Sequence, residues 1–296
     1  MKIFLLSLLS LLALALNAQI ATAATQTNYA DYGELLLVKL DSAPFPHPLR
    51  AEGHKYQNEF YSADQHYQDN TVGIFIPKNF HRTGHPVDFV VHFHGWRNHV
   101  EKVLQHYELV EQFAEAQPNA VLVVPQGPYD APDSFGGKLE DQDGFKRFMS
   151  DVMAALREHK IIANETLGNI ILSGHSGGYE VISSILAQGG LTDHVREVWL
   201  FDALYGRTEK FMNWFDHSQN TRFIDIYTEH GGTKTETEKL IADLTQKKAA
   251  FLAKKETEVT PAELRQNRLV FIFTDLPHDD VPMKHRAFAE YLKTRF

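Results

Sequence analysis

Residues 169–187 read Asn-Ile-Ile-Leu-Ser-Gly-His-Ser-Gly-Gly-Tyr-Glu-Val-Ile-Ser-Ser-Ile-Leu-Ala, and this stretch decides the fold. Asn169 to Leu172 has the pattern of a short buried strand, and Tyr179 to Ala187 that of a helix. Between them lies Gly174-His175-Ser176-Gly177-Gly178. A Gly-x-Ser-x-Gly pattern alone is unspecific; its place between strand and helix gives it weight. A strand that turns sharply into a helix needs residues without bulk beside the turn, which Gly174 and Gly178 supply. The middle residue is then held in a strained conformation, its side chain pushed out at the carboxyl edge of the sheet. The plainer reading of Ser176 is a helix cap in a glycine-rich turn.

Working outward, strand-like and helix-like patterns alternate from about residue 70. Glu34 to Leu40 and Thr71 to Pro77 read as early strands with an antiparallel start, and Asp88 to His94 and Ala120 to Val124 as further strands. His99 to Gln117 and Gly144 to His159 have helical spacing. After the glycine turn come strands at Glu197 to Phe201, Arg222 to Tyr227 and Leu269 to Phe273. Helices are expected at Glu209 to Phe215, at about Thr235 to Lys255, over the tail Glu263 to Asn267, and at Val281 to Lys293. The continuous apolar run at Ala120 to Val124 suits a strand covered on both faces. The pattern predicts an α/β fold, a mainly parallel central sheet with helices on both faces.

The ends and the composition narrow the function. Met1-Lys2, the apolar run Ile3 to Leu16 and the small residues Ala21-Thr22-Ala23 form the pattern of a secretory signal peptide over residues 1–23. The run is shorter than the roughly 20 residues a spanning helix needs. Residues 24–296 are then expected as a single domain, exported to a periplasm or secreted, with no stable membrane insertion after cleavage. The net charge is −9, and −10 without Lys2, which argues against nucleic acid as a partner. With no Cys among 296 residues, thiol catalysis, Cys-ligated zinc and disulfides are excluded.

A serine hydroxyl is a weak nucleophile and needs a base, which in turn needs a carboxylate to orient it. Taken with the glycine turn, the pair His94-Gly95 after an earlier strand, and the order of strands, the chain from about Thr71 to Phe296 resembles the α/β-hydrolase superfamily. That resemblance implies a triad in the order Ser, Asp or Glu, His, with the histidine after the last strand. It therefore points to His278, in Thr-Asp-Leu-Pro-His-Asp-Asp-Val-Pro, rather than to His285 or His230. The loop after the strand Arg222 to Tyr227 reads Tyr-Thr-Glu-His-Gly-Gly-Thr and offers only Glu229 as a possible alternative acid. One strand earlier stands Asp202, in Trp-Leu-Phe-Asp-Ala-Leu-Tyr-Gly. This arrangement is similar to that of pancreatic-type lipases, whose acid follows the sixth strand, and Asp202 is the expected acid. Its plainer reading is a cap for the next helix. Asp225 falls inside a strand pattern and is a poor candidate.

The same resemblance implies an oxyanion hole from the backbone N–H groups of Gly177 and Trp96. His92 and His94 also permit a zinc reading, but no third ligand recurs at helical spacing with them, so no metal is expected. No cofactor is expected either. The loop Pro125 to Leu139 should lie over the catalytic edge, and the short segment between Asp202 and Arg222 leaves no room for a large cap. The expected function is an exported serine hydrolase that cleaves carboxyl esters, of a small-molecule or polymer-borne substrate, through an acyl-enzyme. A peptidase or amidase with the same triad, and a non-catalytic binding protein on the same fold, are the alternatives.

Overall fold

The structure is a computed structural model that describes residues 29–81, 84–217 and 219–295. The chain divides into a unit Met1–Asp31, of which the 3-10 turn Tyr29–Asp31 is described, and a unit Tyr32–Phe296. The signal peptide expected over residues 1–23 lies outside the described residues.

Among the described residues, Tyr32–Phe296 builds a nine-stranded sheet and a separate hairpin. In chain order the strands are β1 (Gly33–Lys39), β2 (His54–Tyr56), β3 (Glu59–Tyr61), β4 (Thr71–Pro77), β5 (Val87–Phe93), β6 (Ala120–Pro125), β7 (Leu167–His175), β8 (Val195–Phe201), β9 (Arg222–Thr228), β10 (Leu252–Lys255) and β11 (Leu269–Thr274). The sheet order is β1-β4-β6-β5-β7-β8-β9-β11-β10, and β2 pairs with β3. β2 and β3 pair antiparallel, and within the nine-stranded sheet the antiparallel pairings among the described residues are those of β4 with β1 and β6, as the early strands were expected to be. Every residue of β4, β6 and β9 is buried, which is why β4 and β6 read as apolar runs without alternation, while β9 buries Arg222 and Asp225 as well.

The order reverses around β5. From β5 the chain crosses to β6 in one direction, and from β7 onward it steps to β8, β9 and β11 in the other. Right-handed crossovers in opposite directions place their helices on opposite faces. One face carries α2 (Val100–His106) and α3 (Leu109–Ala116), against which the closing α9 (Ala287–Lys293) packs. The other carries α4 (Gly144–Glu158), α5 (Gly178–Gln188), α6 (Thr208–Asp216) and α7 (Lys234–Gln246). The reversal point is also where ligands bind in open α/β sheets.

Three expectations need correction. The helix expected over 99–117 is two helices, broken where Glu108 adopts φ +49°. The buried Gln112 amide holds the break by donating to the Tyr107 carbonyl at 2.8 Å and to the Pro282 carbonyl at 2.9 Å. The helix expected to Lys255 ends at Gln246, and Leu252–Lys255 instead pairs in parallel with β11. Backbone pairing with an otherwise open edge outweighs helical continuation there. The closing helix starts at Ala287, not Val281, because His285 and Arg286 turn left-handed at φ +54° and +57°. His285 thus precedes the helix, exposed and paired with Glu256 at 3.1 Å. The hairpin β2–β3, the short α1 (Ala63–His66) and α8 (Pro261–Gln266), the edge strand β10 and several single 3-10 turns complete the secondary structure among the described residues.

One polar network lies wholly inside. The Glu197 carboxylate accepts from Arg222 Nε at 2.8 Å and Nη2 at 2.5 Å, and from Trp199 Nε1 at 2.8 Å. Arg222 Nη1 donates to the carbonyls of Leu264 and Thr294, both at 2.9 Å, which ties α8 and the chain's end to the sheet. Removing one charge of such a pair leaves the other buried without compensation. Glu197→Gln is expected to lower unfolding free energy by about 3–5 kcal/mol, read as a shifted urea midpoint. A midpoint unchanged from wild type would refute this account of the pair.

Candidate active site

Ser176 sits where β7 ends and α5 begins, at φ +53°, a left-handed conformation that costs a non-glycine residue roughly 1–3 kcal/mol. Its N–H donates to the Phe201 carbonyl at 3.2 Å, which ties the turn to the next strand. The turn closes this tightly because Gly178 has no side chain: a Cβ there would stand 2.5 Å from the Phe93 carbonyl oxygen. The sharp strand-to-helix turn expected from the motif is present.

Asp202 follows β8, fully buried, at φ +46°. Its Oδ2 accepts from His278 Nδ1 at 2.6 Å and from Thr228 Oγ1 at 2.8 Å. Its Oδ1 accepts from the Thr228 N–H at 3.2 Å and from the Thr233 hydroxyl. Burial by itself would raise the carboxyl's pKa, but the hydrogen bonds from His278, Thr233 and Thr228 outweigh it and hold the group below its ordinary value. His278 starts a 3-10 turn after β11, with Pro277 just before it. Its ring stands 4.5 Å, centre to centre, from that of His175, the residue before Ser176. Tyr205 has the Ser176 hydroxyl beside its phenol and the His278 ring 6.5 Å away. The three side chains expected as a triad are therefore gathered at one edge of the sheet. Glu229 is not among them: its carboxylate is on the surface, paired with Lys234 Nζ at 2.6 Å.

The loop after β5 borders the serine on its other side. Gly95 packs so closely that a Cβ there would lie 2.6 Å from Ser176 Cβ. His94 is buried, and desolvation lowers its pKa to about 4, so it is neutral at working pH. It bonds the Gly95 carbonyl through Nδ1 at 2.8 Å and accepts the Gly127 N–H on Nε2 at 2.9 Å. A carbonyl only accepts, so the proton is on Nδ1. In a trans peptide the N–H points opposite to the C=O. By holding the Gly95 carbonyl, His94 turns the Trp96 N–H away from itself. Among the described residues, neither the Trp96 N–H nor the Gly177 N–H donates to a protein acceptor. His92 is buried as well, and its Nδ1 is bonded to Ser173 Oγ at 2.9 Å. The loop 125–139 does reach this edge, since Trp96 Nε1 donates to Ser134 Oγ at 2.8 Å above Gly177.

Another buried carboxyl lies one strand beyond Asp202. Asp225 Oδ2 accepts from Thr237 Oγ1 at 2.6 Å, and its Oδ1 has no partner among the described residues. Burial, opposed by the Thr237 hydrogen bond and reinforced by the charge of Asp202, raises its pKa to about 7. An unfolded aspartate titrates near 4, so folding takes up a proton between those two pH values. Stability should therefore fall as pH rises from about 4 to about 7, by up to roughly 1.4 kcal/mol per unit, and level off above. Asp225→Asn is expected to remove that slope from urea midpoints measured across this range; an identical slope in the variant would refute it.

Sequence reasoning did not anticipate Thr228, Thr233, His175, Tyr107 or Tyr205. The first two lie in the very loop that was read for an acid, and it contributes hydroxyls to Asp202 instead.

No protein-family model matches the sequence, and no curated protein matches it. Solved structures do. A mutant of the feruloyl esterase module from Clostridium thermocellum, complexed with sinapinate, aligns with TM-score 0.56 at 11% identity, covering 92% of either chain. A ferulic acid esterase aligns with TM-score 0.55 at 10% identity over 92% of this chain and 100% of that one. The fluorophosphonate-binding serine hydrolase F of Staphylococcus aureus, with substrate bound, gives 0.51 at 11% identity over 88% and 97%. At such identities the likeness bears on architecture, and together with the strand order and the turn at Ser176 it establishes that this chain has the α/β-hydrolase fold.

Proposed function

We propose that the protein is an exported serine hydrolase that cleaves carboxyl esters. The observation that carries this reading is the 2.6 Å hydrogen bond between His278 Nδ1 and the buried Asp202, with the imidazole 4.5 Å, centre to centre, from the ring of His175, the residue before a strained Ser176. A carboxylate on Nδ1 keeps the proton there and leaves Nε2 free as a base. Ser176 Oγ attacks the ester carbonyl carbon while its proton passes to His278 Nε2. The resulting oxyanion is held by the N–H groups of Trp96 and Gly177. Collapse breaks the bond to the alcohol, which leaves with the proton from His278, and water then releases the acid by the same steps in reverse order. Each oxyanion donor contributes roughly 3 kcal/mol to lowering the barrier.

The rim supports a bulky or polymer-borne ester. Trp96 after β5 and Tyr205 after β8 are about two-fifths exposed and stand on either side of β7. Tyr56 packs on Trp96 at 5.0 Å and Tyr179 on Tyr205 at 5.7 Å, widening the aromatic rim. Among the described residues, the nine-residue α6 is the one helix between Asp202 and β9, a segment too short for a large cap. The esterase and serine hydrolase names of the structural neighbours agree with this reading. Export rests on the leader pattern at residues 1–23.

The test is a fluorophosphonate probe followed by peptide mapping, with turnover of matched ester and amide substrates. Labelling at Ser176 and faster ester turnover are expected. Absence of labelling would favour a binding protein on this fold, and faster amide turnover an amidase.

A further inference from the structure

Behind the serine runs a buried hydrogen-bonded chain that the reaction itself does not use. His175 is 1% exposed. Its Nε2 lies 3.0 Å from the backbone carbonyl of His278, and its Nδ1 lies 3.0 Å from the Tyr107 hydroxyl. Desolvation, with the His278 charge adding to it, lowers its pKa to about 3, so the ring is neutral. These contacts leave it one tautomer. The His278 carbonyl can only accept, so Nε2 carries the proton and Nδ1 accepts from the Tyr107 O–H. The Asn98 side chain, which donates to the Trp96 carbonyl at 3.0 Å, lies beside the same hydroxyl. Gln112 bridges the carbonyls of Tyr107 and Pro282, so the loop carrying His278 is gripped a second time, four residues further on.

We infer that His175 and Tyr107 are positioning residues for His278: Asp202 holds the imidazole by its ring nitrogen, and the Tyr107–His175 relay holds the same residue by its backbone carbonyl. The inference rests on His278 being the base. A ring tethered at one nitrogen can still pivot about that bond and slide with its loop. A second anchor on the backbone removes this freedom, and it comes from the residue adjacent to the nucleophile. The two reacting groups therefore share one rigid frame. Displacement of about 1 Å at such a site costs on the order of 100-fold in rate. The geometry also explains why a polar ring is tolerated in the strand's last buried position: all of its hydrogen-bonding capacity is used.

The experiment measures kcat and KM on a soluble aryl ester for full-length His278→Ala, His175→Phe, His175→Gln and Tyr107→Phe. Phenylalanine at 175 fills the space without bonding, whereas glutamine can donate to the carbonyl and accept from Tyr107. His175→Phe and Tyr107→Phe are expected to lose about 10- to 100-fold in kcat with KM unchanged, and His175→Gln to recover most of that loss. An inactive His278→Ala beside a fully active His175→Phe would overturn the relay and leave the triad standing. An active His278→Ala would overturn the triad itself. Equal losses in the Phe and Gln variants would reduce His175 to packing and also overturn the relay. Should His175→Phe fail to fold, Tyr107→Phe, which deletes a single hydroxyl, decides the matter by the same kcat criterion.

Discussion

Ser176→Ala is expected to lower kcat on a small acyl ester by roughly 10⁶-fold while the protein keeps its thermal midpoint or gains stability. Alanine lacks the attacking oxygen, so no acyl-enzyme forms, and what remains is catalysis by the oxyanion donors and by binding. The fold should not suffer. The Ser176 side chain is partly exposed, and the turn is held by the bond from its backbone N–H to Phe201. KM should change little, because the hydroxyl contributes chiefly in the transition state. Steady-state kinetics beside a melting curve give both readouts. Turnover within tenfold of wild type would mean that another group is the nucleophile.

The second large effect belongs to Asp202→Asn, for which a loss of about 10⁴-fold in kcat is expected. The substitution keeps the shape and most of the cavity contacts. It presents an amide N–H or an uncharged oxygen where His278 Nδ1 now finds a carboxylate at 2.6 Å. With an amide donor facing Nδ1, the imidazole carries its proton on Nε2 instead, on the side of the serine, and cannot accept another. The four donors now aimed at Asp202 come from Thr228, Thr233 and His278, and they tune its charge rather than create it. Glu229→Gln is the matched control and should retain wild-type turnover, since its carboxylate is occupied by Lys234 at the surface. If the Glu229 variant were the inactive one, the acid would have to be reassigned to the loop after β9.

Much of the architecture was legible because local patterns carry it. Ala120 to Val124 and Thr71 to Pro77 are apolar without alternation, and both are buried throughout. The glycine turn at 174–178 stands where strand meets helix, as its composition requires. Expectations failed where a tertiary partner overrode a local preference. Helical spacing continues across Tyr107 and Glu108, yet the chain breaks there because the Gln112 amide takes two carbonyls, one from 170 residues away. Leu252 to Lys255 looks like the end of a charged helix and becomes an edge strand because β11 offers it backbone partners.

The same division holds for the site. Ser176, Asp202 and His278 were candidates from the sequence because each follows a strand end where the resemblance to α/β-hydrolases places a triad member, and strand ends are set by short-range patterns of apolar residues and breakers. The hydroxyls of Thr228 and Thr233 on Asp202, the hold of His94 on the Gly95 carbonyl and the bond from His175 to the His278 carbonyl carried no such mark. A threonine or a histidine looks the same in sequence whether it faces water or a buried carboxylate. Which of them it meets depends on how the strands are ordered and how closely their ends approach, and only the packed sheet decides that.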